Sequence, residues 1–259
     1  MKSFETIRCE ATEGVARLTL ARPHKNNALN AQMIRELTEA ALLLAEDRGC
    51  RAVVLEGEGR SFCAGGDLAW MKEQFDASAE HRRGEAEALA RMLRSLDELP
   101  QLVIAVVGGA ALGGGVGLAA VCDVVIAAPL ARFALTETRL GLVPATIAPF
   151  LLRRMGAAAL RQAGLHGEML GPVEAKAIGL VTEVVEEGGA DEAVRRHVRQ
   201  VMASAPGAVA EAKALFRALA QGKAGEEQAI AALVRRWQSE EARAGIAAFF
   251  AKEVPPWQR

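Results

Sequence analysis

Apolar residues recur along this chain with two different periods, and the switches between them mark its elements. In GVARLTL (14–20), Val15, Leu18 and Leu20 alternate with small or polar neighbours, the pattern of a half-buried strand ending before Pro23. From Asn30 the spacing lengthens to three and four. Met33, Leu37, Ala41 and Leu44 then share a helical face, with Asn30 as cap and an end near Gly49. AVVLEG (52–57) predicts a second strand, and LVIAVV (102–107) a third, buried on both faces by its length and β-branching. VCDVVIAA (121–128) and a short ARFAL (131–135) follow as strands. GEGRSFCAGGDL is too glycine-rich to be regular, and 68–99 reads as one or two polar helices broken around Gly84 and closed by Pro100.

After Pro149 the pattern is helical. LLRRMGAAALRQAG, a stretch opened by Pro172, DEAVRRHVRQVMASA, AVAEAKALFRALAQ and EEQAIAALVRRWQSEEARAGIAAFFAK all carry apolar residues at three and four spacings. Strands and helices alternate in units too long for hairpins, which predicts an α/β core with crossover connections. The expected organisation is a core over 1–190 and a helical region over 191–259, with no internal repeat and no low-complexity segment.

One segment imitates a membrane span. Residues 102–122 are uncharged, long enough to cross a bilayer. Six of them are glycines, however, each costing about 0.8–1 kcal/mol in a helix interior. A strand ended by Gly108 is the better reading, and no membrane association is expected.

Charge narrows the partners further. Lys plus Arg number 31 and Asp plus Glu 32, so the net charge of −1 gives no field that would draw the chain to nucleic acid. At 259 residues and 51% hydrophobic content it can bury a sizeable core unaided. Cys9, Cys50, Cys63 and Cys122 lie far apart, without metal-ligand spacing, and are read as reduced thiols. No metal is expected. The opening MKSFETIRCEATEG has neither the apolar stretch of a signal peptide nor the look of a transit peptide, so a cytoplasmic location is expected.

Serine-hydrolase, P-loop and zinc-protease motifs are absent from the sequence. Gly115-Val116-Gly117-Leu118-Ala119-Ala120 fits a loose dinucleotide fingerprint, with Glu137 twenty residues beyond Gly117. The fit is superficial, because seven residues separate the end of LVIAVV from Gly115 instead of the strand running into the glycine turn. Two other runs are more informative together: Cys63-Ala64-Gly65-Gly66-Asp67-Leu68 and Ala111-Leu112-Gly113-Gly114-Gly115-Val116, each following a strand. Backbone without Cβ cover at a strand end lets amides point into a cleft. One N–H from each run, 48 residues apart at Gly66 and Gly114, could converge on a single oxygen as an oxyanion hole. Either run alone is equally a tight connection that permits close packing.

SFCAGGDL, then GGAALGGGVGL with VCDVVIAA, then ARFALTETRLGLVPATIAPFLLRRMG resemble, in order and spacing, the enoyl-CoA hydratase/isomerase (crotonase) superfamily. The resemblance covers 15–257 and implies a spiral of ββα units with a C-terminal helical region that assembles as a homotrimer or a homohexamer (dimer of trimers). It also implies an acyl-CoA substrate, with coenzyme A part of that substrate and no separate cofactor. Carried over by motif, the oxyanion donors are the N–H groups of Gly66 and Gly114. Hydratases of the family use two glutamates. The second aligns with Glu137 of LTETRLG, while the first, expected three residues after Gly114, is replaced by Gly117.

A lone carboxylate can still serve, moving the α-proton to the departing hydroxyl on one face of the substrate. Phe133, Leu135, Leu140 and Leu142 are expected to desolvate Glu137 and raise its pKa. The bland alternative is a surface ion pair with Arg139. GGGVGL together with TETRLGLVPATIAPFLLRRMG looks most like bacterial 3-methylglutaconyl-CoA hydratases and related branched glutaconyl-CoA hydratases of leucine or acyclic-terpene breakdown. A distal substrate carboxylate would need a cation, for which Lys72, His81, Arg82 and Arg83 are candidates, though each also fits a solvated helix face.

Arg22-Pro23-His24-Lys25-Asn26-Asn27-Ala28-Leu29 resembles the family's coenzyme A turn, which places Ala28 on the ligand path, with Ala64, Asp67 and Leu68 contributing from the first glycine loop. AAFFAKEVPPW resembles the family's tail, implying that Phe249 and Lys252 touch coenzyme A of a neighbouring subunit. Asp123 is expected to be structural. Two alternatives share the motifs: Δ3,Δ2-enoyl-CoA isomerisation, and a non-catalytic acyl-CoA-binding subunit.

Overall fold

Four of the five predicted strands pair side by side, and the fifth, ARFAL, lies in a second, smaller sheet with strands that the periodicity did not reveal. The computed structural model describes residues 3–258. Chain order begins with β1 (Ile7–Thr12), β2 (Val15–Leu20) and α1 (Ala31–Glu46), followed by β3 (Ala52–Gly57), β4 (Ser61–Cys63), α2 (Leu68–Asp76) and α3 (Ala79–Asp97). Next come β5 (Leu102–Val107), β6 (Ala110–Leu112) and α4 (Gly114–Ala120), then β7 (Val124–Ala127), β8 (Arg132–Ala134) and α5 (Ala148–His166). The remainder is α6 (Pro172–Ala177), β9 (Glu183–Val184), α7 (Ala190–Met202), α8 (Pro206–Ala220), α9 (Glu226–Trp237) and α10 (Glu240–Ala251).

One sheet has the order β1-β2-β3-β5-β7-β9 and a smaller one β4-β6-β8. β1 runs antiparallel to β2, with Ile7 opposite Leu20, and every other pairing is parallel. The chain therefore repeats a ββα unit. From the second unit on, one strand enters the large sheet and the next the small one, so the short strands and their trailing loops stack along one edge. This is the expected spiral. The repeat was not visible in the sequence because only its topology recurs.

Both faces of the large sheet are covered, which explains the unbroken apolar runs. Val53, Leu55, Val103, Ala105 and Val125 face the main core with Met33, Leu37, Ala41 and Leu44 of α1. Val54, Ile104, Val124 and Ile126 face Ala193 and Val194 of α7. Asn30 caps α1 as read, its Oδ1 accepting from the Met33 N–H at 2.9 Å.

Several boundaries differ from expectation. Gly84 lies inside α3, with open space around it, and the break falls at Ala77–Ser78, where the Ser78 hydroxyl accepts from the His81 N–H at 3.1 Å and starts a new helix. Ser239 likewise divides the last helical stretch into α9 and α10. The uncharged segment 102–122 becomes β5, β6 and α4, and among the described residues no helix is long and apolar enough to cross a membrane.

Candidate active site

The small sheet brings the two glycine loops together. After β4, Ala64 N–H donates to Asn26 O at 3.0 Å, Leu29 N–H to Gly65 O at 2.7 Å, and Asp67 N–H to Leu29 O at 2.8 Å. Leu29 and Gly66 thus form an isolated parallel bridge. In such a bridge the residues flanking Gly66 make both bonds to Leu29, so Gly66's own N–H faces the opposite side. After β6, Gly113 turns the chain with φ 48° and ψ −111°, a conformation open to glycine, and Gly114 starts α4. As first helical residue, Gly114 has no carbonyl four positions back for its N–H.

Backbone meets backbone between these loops. A Cβ on Gly115 would stand 2.2 Å from Cys63 O, and one on Gly65 would stand 3.0 Å from Leu112 O and 3.9 Å from Gly114 N. Only residues without side chains allow that approach.

Glu137 begins a turn of 3-10 helix after β8. Its carboxyl lies over the second loop, Oε1 being 2.8 Å from where a Gly113 Cβ would be. Its Oε2 is buried without a hydrogen-bond partner among the described residues. Burial pushes this carboxyl above its ordinary range, against a smaller opposing pull from its own amide. The expected surroundings hold only in part: Phe133 and Leu135 are buried, whereas Leu140 and Leu142 are 62% and 52% exposed. The ion pair with Arg139 is not formed among the described residues; the Arg139 guanidinium lies beside Gly167.

Where a second carboxylate would be rooted there is hydrocarbon. A Cβ on Gly117 would stand 2.4 Å from Ile147 Cγ2 and 3.7 Å from Leu93 Cδ2, and Ile147 is 2% exposed. Gly113 and Gly117 lie four apart at the start of α4, on one face. Glu137 covers the first and Ile147 the second. The arrangement offers a carboxyl for proton transfer next to the Gly66 and Gly114 amides, with Ile147 and Leu93 where a side chain at Gly117 would lie.

A family model described as Enoyl-CoA hydratase/isomerase matches residues 10–259. The chain is a member of that family. A Rhodobacter capsulatus protein named "Probable enoyl-CoA hydratase" is 37% identical, with 98% of each chain covered. The crystal structure of an enoyl-CoA hydratase from Shewanella pealeana superposes with a TM-score of 0.94 at 32% identity, covering 98% of this chain and 96% of that one. Pseudomonas aeruginosa AtuE superposes with a TM-score of 0.93 at 38% identity, covering 98% and 100%. The general chemistry is therefore hydration or isomerisation of an enoyl-CoA thioester.

As an enoyl-CoA hydratase/isomerase, the chain places its other expected residues unevenly. Ala28 and Asp67 are buried; Ala28 O accepts from Arg22 Nη1 at 2.6 Å and Asp67 Oδ2 from Arg22 Nη2 at 2.8 Å. Ala64 is half-buried beside them, and Leu68 is 83% exposed at the start of α2. Phe249 is 78% exposed on α10 and Lys252 caps that helix in a left-handed conformation, both directed outward from the single chain.

Arg82 donates to Gln74 O and Arg83 pairs with Glu87, while Lys72 and His81 are exposed. Asp123 is structural as expected, accepting from the Val103 N–H at 2.8 Å and from Lys213 at 2.6 Å. Sequence reasoning did not single out Ile147, nor Met71 and Trp70, which flank Gly66 at 3.2 and 3.5 Å from its Cβ position. A cavity of about 570 Å³ lies elsewhere, under α8, and its cations are engaged: Arg153 on Asp97, Arg154 on Cys122 O, Lys213 on Asp123 and Arg217 on Asp97 O.

Proposed function

We propose that this protein is a hydro-lyase that reversibly hydrates a branched 2-enoyl-CoA bearing a second carboxylate, of the 3-methylglutaconyl-CoA/3-hydroxy-3-methylglutaryl-CoA type. The observation that carries the reading is the unpartnered Oε2 of Glu137 beside the Gly113–Gly114 turn, with the alternative acid position closed by Ile147. The Gly66 and Gly114 N–H groups hold the thioester oxygen as negative charge moves onto it, and removing one such donor typically costs about 10²–10³ in kcat. Ionised Glu137 accepts a proton from water as its oxygen bonds to the β-carbon, then passes that proton to the α-carbon. Dehydration runs the same steps backward, and Glu137 ends each turnover ionised.

Such a reaction belongs to the breakdown of leucine or acyclic terpenes, in the cytoplasm, and requires no metal or redox cofactor. Assembly as a homotrimer or dimer of trimers would cover the exposed Phe216, Leu233, Trp237 and Phe250 and bring Phe249 and Lys252 against a neighbour's coenzyme A. A steady-state panel of linear and carboxylated enoyl-CoAs tests the substrate class. Highest kcat/KM on the branched diacid is expected; preference for a linear crotonyl-type chain contradicts it.

A lone carboxylate is also sufficient for Δ3,Δ2-isomerisation, which makes that the second reading. Turnover in heavy-oxygen water separates the two, because hydration incorporates the label and isomerisation does not. Full activity of Glu137→Gln on every acyl-CoA tested would leave only a binding role for the two glycine loops.

A further inference from the structure

Arg22 lies outside the reacting groups, yet its side chain is 12% exposed and joins both strands of the bridge that carries Gly66. Its Nη1 donates to Ala28 O at 2.6 Å, next to Leu29, and its Nη2 donates to Asp67 Oδ2 at 2.8 Å, next to Gly66. Leu29 and Gly66 are the bridged pair. The other Asp67 oxygen accepts from the Ala69 and Trp70 amides at 2.9 and 3.5 Å, which fixes the start of α2. Arg22 N–H donates to Asn27 Oδ1 at 2.9 Å, and Asn27 Nδ2 reaches Ser61 O at 2.8 Å, tying the same turn to β4.

A planar fork suits this task, since one guanidinium can hold two acceptors at a fixed angle and an ammonium cannot. Burial alone would raise the Asp67 carboxyl; the bonds from Arg22 and from the two helix amides outweigh it and hold the carboxyl below its ordinary range. Asp67 is therefore ionised throughout the neutral range. Buried pairs of this kind often add little net stability over a hydrophobic replacement, which leaves the geometry they impose as the role to test.

We propose that Arg22 is a positioning residue: by gripping Ala28 and Asp67 at once it aims the Gly66 N–H at the substrate thioester oxygen, without touching substrate itself. The inference rests on the oxyanion role proposed for Gly66. Misplacement by about 1 Å can cost about 10²-fold in rate, so loss of the grip registers in kcat before KM.

Infrared difference spectroscopy of bound isovaleryl-CoA labelled with carbon-13 at the thioester carbonyl reads the hydrogen bonds directly, because this saturated ligand cannot be hydrated. In the wild-type full-length protein the carbonyl stretch is expected to move to lower frequency on binding. Arg22→Met should lose more than half of that shift and about 10²-fold in kcat with KM nearly unchanged, and Arg22→Lys should fall between the two. Asp67→Asn keeps an acceptor for the helix amides while removing the charge, and should match Arg22→Lys. A folded Arg22→Met with the full wild-type shift overturns the proposal. If that variant does not fold, a full shift in both Arg22→Lys and Asp67→Asn overturns it instead. No shift in the wild type would instead defeat the oxyanion reading, and the role of Arg22 with it.

Discussion

Glu137 is held in a state that favours its protonated form, and the consequence for pH follows from the sign of that bias. A carboxyl raised in the folded state adds stability only while protonated. That contribution is complete below the ordinary glutamate value of 4.5 and is lost as pH rises through the raised value. At neutral pH the ionised group is therefore a liability to the fold. Glu137→Gln should raise the melting temperature by a few degrees at neutral pH and give no gain below pH 4.5, as thermal unfolding at both pH values would show. The same variant should lose about 10²–10⁴-fold in kcat. In the proposed mechanism turnover begins with ionised Glu137 in either direction, so wild-type kcat/KM should fall on the acid side with an apparent pKa above 4.5, a profile absent from the variant.

At the scale of elements, α4 and the start of α5 are fitted to each other through a missing side chain. Gly117→Ala would put a Cβ 2.4 Å from Ile147 Cγ2. Overpacking of this kind should cost about 1–3 kcal/mol, and combination with Ile147→Ala should be less than additive, as a double-mutant cycle in urea would measure. This fit could not be read beforehand, because it depends on two segments meeting in space.

Other elements were legible for local reasons. LVIAVV gave β5 to the residue because both faces of that strand are covered, and Asn30 marked the start of α1 because its side chain makes the cap. β1 was missed. It is an edge strand whose outward side carries charges such as Arg8, paired with Glu58, so it shows no apolar alternation. β4 and β6 span three residues each, too short for any period to emerge. Gly84 misled because an exposed glycine is tolerated within a helix, whereas the break was set by the Ser78 cap.

Across the chain as a unit, the ββα repeat places β4, β6 and β8, and hence both glycine loops and Glu137, along one edge. Motif order conveyed this in advance; periodicity alone conveyed an α/β core but not the closure. The C-terminal helices leave Phe216, Leu233, Trp237, Phe249 and Phe250 at 61–79% exposure, more apolar surface than an isolated chain commonly keeps. Light scattering should give three or six times the chain mass of 27.4 kDa, and Trp237→Glu should lower it. Lys252→Ala should raise KM for acyl-CoA with kcat unchanged, the signature of lost uniform binding, in steady-state assays of the assembled protein.

In the proposed mechanism one carboxylate handles both the α-proton and the hydroxyl. Proton NMR in heavy water follows the two events together on the hydroxyacyl-CoA, reading deuterium entry at the α-carbon alongside loss or gain of the hydroxyl. Glu137→Gln is expected to slow both by the same factor, about 10²–10⁴. Survival of either event at the wild-type rate would show a second acid or base at work and rule out a single-carboxylate mechanism.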